Sequence, residues 1–207
     1  EAFKQILCYF RRNIELIIKI TEAEVKLTLP EQKTPNNEIR YTIEGIIDIV
    51  REDDFTWMYD IKSHDKQQVE NNRDQYRKQL SVYAHIWKSL RGNPLDNTAI
   101  IATALPRELK KDLLSDDIEI RNKALNKWDP VVPLGYSEDE VEEMITDFGL
   151  VVEKIEGKEF TPPPVERLTT KDEGERNIFA VNICRNCDAR FSCESFRTYV
   201  RTKDKGK

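Results

Sequence analysis

The stretch from Thr42 to Tyr83 constrains this chain more than any other. It begins Thr42-Ile43-Glu44-Gly45-Ile46-Ile47-Asp48-Ile49-Val50 and crosses the charged turn Arg51-Glu52-Asp53-Asp54. It then continues Phe55-Thr56-Trp57-Met58-Tyr59-Asp60-Ile61-Lys62. Two such runs joined by so short a turn predict an antiparallel hairpin. Alternate side chains of a strand share a face. Glu44, Ile46, Asp48 and Val50 are therefore expected to point one way, and Asp60 and Lys62 to share a face with Met58. Two carboxylates and a lysine then converge on an otherwise apolar sheet. Carboxylates brought together without a counter-charge repel, and one must take up a proton. A divalent cation removes that conflict. Magnesium suits one or two protein carboxylates, with water and phosphate oxygens completing its octahedron. Lysine adds a point charge for a phosphate or a developing oxyanion.

The next segment, Val69 to Leu90, carries Tyr76, Leu80, Tyr83, Trp87 and Leu90 at helical spacing, which predicts an amphipathic helix. Gln79 and Tyr83 lie one turn apart on it. Packing of the aromatic stripe into a core accounts for Tyr83 equally well. Gly92-Asn93-Pro94 ends the helix.

Taken in order, Gly45-Ile46-Ile47-Asp48, Asp60-Ile61-Lys62 and Gln79-Leu80-Ser81-Val82-Tyr83 resemble the PD-(D/E)xK nuclease superfamily, and within it the RecB-like branch. The resemblance implies an α/β fold with a restriction-endonuclease-like core, a small mixed sheet flanked by helices. It implies a metal-dependent deoxyribonuclease in which Asp48 and Asp60 bind Mg2+ or Mn2+, with the backbone carbonyl of Ile61 as a further ligand. Lys62 would position the attacking water or stabilise the pentacovalent charge, and Gln79 and Tyr83 would contact the nucleic acid. Glu44 is a secondary candidate on the face of Asp48. Many relatives place a metal-binding histidine ahead of the first strand, but here no histidine precedes His64. Glu22 or Glu24 substitutes, or the site works without that ligand, or the segment carrying it lies outside this sequence. His64 and His85 are read as structural or exposed.

The chain of 207 residues, 39% hydrophobic and 34% charged, suits one domain with an ordinary core. No apolar run approaches the roughly 18 residues that cross a membrane, and no signal peptide is visible, so a cytoplasmic protein is expected. The first residue is Glu1, which fits a piece cut from a longer protein. The net charge of −5 runs against the basic balance usual in nucleic-acid binders. Basic residues nonetheless cluster at Arg11 and Arg12, at Arg73, Arg77 and Lys78, and from Arg185 to Lys207.

Elsewhere, Ala2 to Ile20 reads as one helix, or two joined near Asn13. Glu24 to Leu29 alternates as a strand, and Pro30 to Asn37 reads as a loop. Asn97 to Leu105 is a buried strand, and Arg107 to Trp128 reads as helical pieces with a surface loop. A helix opens at Ser137 with a Ser137/Glu140 capping box and presents Val141, Ile145, Phe148, Val152 and Ile155. It stops at Gly157, and an extended linker runs from Phe160 through Asn177.

Four cysteines stand at opposite ends of the chain: Cys8 alone, then Cys184, Cys187 and Cys193. Their spacing suits tetrahedral Zn2+ or an iron–sulfur cluster. One cysteine before the nuclease core and three after it resembles the iron–sulfur subset of RecB-like nucleases, which includes AddB-type and CRISPR-associated members. That resemblance implies a [4Fe-4S] cluster on Cys8, Cys184, Cys187 and Cys193, tying the chain ends together. Residues 1–207 are then one nuclease domain, with a core of about 22–157 and a cluster-bearing lobe from 1–20 plus 178–200. The expected activity is exonucleolytic, on single-stranded DNA or DNA ends, within or beside a helicase in repair or recombination. The alternatives are an end-trimming nuclease of CRISPR adaptation and a non-catalytic DNA-binding scaffold with structural zinc.

Overall fold

In the computed structural model, which describes residues 2–170 and 179–204, the alternating stretches become β1 (Glu22–Lys33), β2 (Arg40–Glu52) and β3 (Thr56–Lys62). They form an antiparallel meander, with Leu27 opposite Gly45 and Val50 opposite Met58. β4 (Asn97–Ala102) lies parallel to β3, with Lys62 opposite Ala102. Parallel neighbours need a long crossover, which α3 (Lys66–Asn71) and α4 (Arg73–Arg91) supply. β5 (Val131–Leu134) completes the order β1-β2-β3-β4-β5.

Two departures from the sequence reading involve proline. The reading assigns no element to Val131–Leu134, which contains Pro133, a residue that cannot donate to a ladder. β5 is an edge strand, and proline is tolerated where one side goes unpaired. β1 also runs on through Pro30–Lys33, where a loop is expected. Its register shifts between Leu29 and Gln32, and Glu31 takes φ of 60°, a bulge that accommodates the proline.

Each face of the sheet has its own helical layer. α4 covers one, where Tyr76, Leu80 and Trp87 join Ile47, Val50, Met58 and Ile100. Ile47, Val50, Met58, Leu80 and Ile100 are fully buried, each contributing about 1.5–3 kcal/mol relative to exposure. On the other face Ile49, Tyr59, Ala99 and Ile101 meet Tyr9 of α1 (Ala2–Arg12), Leu16 of α2 (Ile14–Ile17) and Ile20. α1 docks through Cys8, packed with Leu105, Leu113 and Trp128. Its apolar residues Phe3, Ile6 and Phe10 are exposed.

The expected helical pieces after Arg107 are α5 (Lys110–Leu113) and α6 (Ile118–Lys127), the latter capped by Asp117. α7 (Asp139–Glu156) begins without the expected Ser137/Glu140 box. The Ser137 N–H donates to Ser81 Oγ at 3.1 Å, and Glu140 pairs with Arg77 at 2.6 Å. A capping box forms instead at α3, between Asp65 and Gln68. Val141 and Ile145 of α7 turn to the core, but Phe148 and Ile155 are exposed. Gly149 makes the close approach: a Cβ there would lie 2.8 Å from Pro35 Cδ.

The chain divides into two compact units, Glu1–Glu153 and Lys154–Lys207. The second contains α8 (Val165–Thr169), which interrupts the linker expected to be extended. Residues 171–177 of that linker lie outside the described residues. Short wound segments from Phe179 to Phe191 and α9 (Glu194–Asp204) follow, around a small core of Leu168, Ala180, Cys184 and Tyr199. Among the described residues no helix is long and apolar enough to cross a membrane.

Candidate active site

The alternation of β2 breaks at Asp48. Ile47 and Val50 both join the core under α4, while Ile49 joins the opposite one. Glu44 and Ile46 are exposed. Glu44, Ile46, Asp48 and Val50 therefore do not share one face, as strict alternation predicts. The cause lies on β1. Val25 pairs with Ile47 and Ala23 with Ile49, but Glu24, between them, has φ of 53° and makes no ladder pair with Asp48. Left-handed backbone in a residue other than glycine is strained, and such strain clusters at functional sites. On the other side, the β2–β3 ladder stops at Ile49–Tyr59. Asp48 occupies the position where the strands part, and its Oδ2 accepts the Ile61 N–H at 2.6 Å.

That bond brings Asp48 to Asp60. Asp60 is 4% exposed. Its Oδ1 accepts from Gln79 Nε2 at 3.4 Å, and its Oδ2 lies 2.6 Å from Lys62 Nζ. The Lys62 ammonium is thus the charged partner of a buried carboxylate oxygen. Burial pushes the Asp60 carboxyl above the ordinary range. Lys62 opposes that shift and the neighbouring Asp48 charge adds to it. Glutamine and tyrosine join the same network: Gln79 Nε2 also donates to Tyr83 Oη at 3.1 Å.

Gly45 makes room for this arrangement. A Cβ at Gly45 would stand 2.5 Å from Tyr83 Cε1, so any larger residue displaces the ring that holds Gln79. Tyr76 is a component that spacing alone assigns only to the core. Lys62 Nζ lies 5.6 Å from its ring centroid, and its hydroxyl is 2.8 Å from His64 Nδ1. The helical positions 76, 79 and 83 share a face, and that signal was available in the sequence.

Other candidates are engaged elsewhere. Both Glu22 carboxylate oxygens accept from Arg91 Nη2 at 2.8 Å. Glu44 pairs with Lys26 at 2.9 Å on the exposed face. Glu24 is exposed, at the register position opposite Asp48, and has no ion pair among the described residues.

Asp48 and Asp60 fit a hard divalent cation. The buried Asp60 carboxylate feels the Asp48 charge, and a magnesium-like ion needs no more than two carboxylates from the protein. Among the described residues no three carboxylate, imidazole or thiol groups gather around one point. The cysteines fall in both units. Cys8 is buried in the first, its Sγ donating to the Leu113 carbonyl at 3.0 Å, and burial raises its thiol against the pull of Arg121, Arg11 and Lys4. Cys184, Cys187 and Cys193 are in the second. Burial raises the Cys184 thiol first, with the neighbouring Cys193 and Cys187 adding to the shift.

A family model described as the PD-(D/E)XK nuclease superfamily matches residues 3–194. No curated protein matches the chain.

Proposed function

Because the chain belongs to the PD-(D/E)XK nuclease superfamily, a family of metal-dependent nucleases, we propose that it hydrolyses DNA where β2 and β3 part and Asp48, Asp60 and Lys62 meet. The observation that carries this reading is the buried Asp60 carboxylate beside Asp48, with Lys62 Nζ 2.6 Å away. Asp48 and Asp60 hold Mg2+ or Mn2+, the Ile61 carbonyl adds a backbone ligand, and Glu24 is the further acidic candidate. When bound, such an ion supplies Lewis-acid polarisation of a phosphate and lowers the pKa of an attacking water. Lys62 provides the positive charge at the scissile phosphate, steadied by the Tyr76 ring. Gln79 and Tyr83 orient Asp60 and meet the nucleic-acid strand.

The Gln79–Tyr83 pair on α4 supports placing the chain in the RecB-like branch, and with it exonucleolytic action on single-stranded DNA or ends beside a helicase. The [4Fe-4S] reading rests on the order of the cysteines, Cys8 before the core and Cys184, Cys187 and Cys193 after it. Such a cluster would contribute stability to the fold. Anaerobically purified protein is then brown, and a colourless protein with stoichiometric zinc contradicts the cluster.

The test of function is cleavage of single- and double-stranded DNA, end-labelled or circular, with Mg2+, Mn2+, Ca2+ or chelator. Mg2+ or Mn2+ should support cleavage, and Ca2+ should support binding alone because its looser coordination positions water poorly. DNA that binds but is never cut under any of these ions favours the scaffold reading.

A further inference from the structure

Beyond the ends of β3 and β4 the first unit carries a recess of about 590 Å³ lined by Lys4, Arg107, Lys110, Lys111 and Leu114. Four cations and no carboxylate line it, in a chain whose net charge is −5. Lys4 pairs with Asp116 at 2.6 Å. Among the described residues Arg107 and Lys111 have no ion pair, and both are exposed. Neighbouring cations such as Arg107 and Lys111 repel one another and hold a positive potential that an anion relieves.

The topology sets this recess beside the active site. β3 ends at Lys62 and β4 ends opposite it at Ala102. The next residue, Thr103, donates both its N–H and its hydroxyl to the Lys62 carbonyl, at 2.9 and 3.1 Å. From Thr103 the chain passes Pro106 and delivers Arg107, then Lys110 and Lys111 in α5. Four residues of chain reach at most about 14 Å, which bounds the distance from Thr103 to Arg107. Gln5 Nε2 donates to the Thr103 carbonyl at 3.1 Å, which brings in the adjacent Lys4. A second recess contains Arg11, Arg12, Lys19 and Arg51, but Arg51 stands opposite Trp57, at the start of β3 and away from Lys62. Three of these four cations are also engaged: Lys19 and Arg51 pair with Asp53, and Arg12 donates to the Trp128 carbonyl.

We propose that the Lys4–Arg107–Lys110–Lys111 recess binds backbone phosphates of the nucleic-acid strand whose scissile phosphate lies at Asp60 and Lys62. The inference rests on the nuclease reading for the identity of the strand. Arg107 suits two oxygens of one phosphate at once, and the lysines act as point charges. The recess reads no sequence; it fixes the register of the strand over Asp60 and Lys62.

The experiment compares the wild-type chain with the charge-reversed pair Arg107→Glu/Lys111→Glu and the neutral pair Arg107→Ala/Lys111→Ala. Exposure of both positions means the variants should melt as wild type does. Lys33→Glu/Arg40→Glu on the β1–β2 hairpin is the control of equal charge change. The probe is a fluorescein-labelled single-stranded oligonucleotide in Ca2+, followed by anisotropy over a range of salt. The neutral pair should lose about 1.4 from the slope of log affinity against log salt, that is about 0.7 for each of two phosphate contacts. The charge-reversed pair should lose at least about tenfold in affinity at low salt, with the hairpin control unaffected. Unchanged affinity and slope in both recess variants, or an equal loss in the hairpin control, overturns the proposal. Tight binding of inorganic phosphate that is lost in the neutral pair, with oligonucleotide affinity intact, assigns the recess to free phosphate and also overturns it. Wild-type protein that cleaves nothing, yet shows the slope change, sinks the nuclease reading and leaves the recess standing.

Discussion

The acidic site, on β2 and β3, and the basic recess, formed by α1 and the chain that follows β4, rest on different physics. Asp60 is 4% exposed, fixed between Gln79 and Lys62, and its burial opposes ionisation more than Lys62 favours it. Arg107 and Lys111 are exposed, cost the fold little, and act through a field that salt screens within about 10 Å at 0.1 M. A buried charged site should therefore fail all at once when one member is removed. An exposed site should fail by increments and in proportion to salt.

The largest effect that sharpens this contrast is at Asp60. Asp60→Ala should bring Mg2+- or Mn2+-dependent cleavage to background, with metal affinity lost in calorimetry. Next in size, Gln79→Ala should reduce cleavage by about 10–100-fold, the usual range for a group that orients a ligand, with Tyr83→Phe smaller because the ring remains. Full activity in Gln79→Ala together with a sharp loss of melting temperature in Tyr83→Ala would make that face of α4 merely core. Gly45→Ala comes next. Its Cβ meets the Tyr83 ring at 2.5 Å, so overpacking should cost about 1 kcal/mol, the low end for such changes, while cleavage falls further than stability does. The smallest effect has the opposite sign. Asp60 titrates above its unfolded value in the folded chain, so the folded state holds the proton more tightly. The stability this gives is present below the unfolded pKa and lost as pH rises through the folded one. At neutral pH in chelator, Asp60→Asn should therefore melt a few degrees above wild type while cleaving nothing. A lower melting temperature would mean that the Lys62 pair outweighs burial.

The same contrast explains what the sequence disclosed. Asp48, Asp60 and Lys62 stood out because charges inside apolar strands are rare and need a reason. Strand alternation predicted the hairpin but missed the break at Asp48. That break depends on the left-handed backbone of Glu24, and glutamate gives no local sign of positive φ. Val131–Leu134 drew no reading, and Tyr76 stood only among the aromatic residues of the helix, although its spacing from Gln79 and Tyr83 already put it on their face; its bond to His64 exists only after α4 packs on the sheet. The recess had no local signature at all. Lys4 reaches the segment after Arg107 only in the folded chain, where its Nζ donates to the Leu114 carbonyl and pairs with Asp116 while Gln5 bonds Thr103, and each residue alone reads as solvated surface.

The central claim is that Lys62 acts on the phosphate while Asp48 and Asp60 hold the metal, and Lys62→Ala tests it most directly. Metal affinity by calorimetry and DNA cleavage in Mn2+ should be measured on the same preparation, beside Asp60→Ala and the double variant. Lys62→Ala should keep metal binding and lose cleavage by about 10²–10³-fold or more, the scale of a removed transition-state donor. The double variant should cleave no worse than Asp60→Ala, since members of one catalytic unit are not additive. Near-normal Mn2+-dependent cleavage by Lys62→Ala would contradict the assignment and move the chemistry elsewhere in the chain.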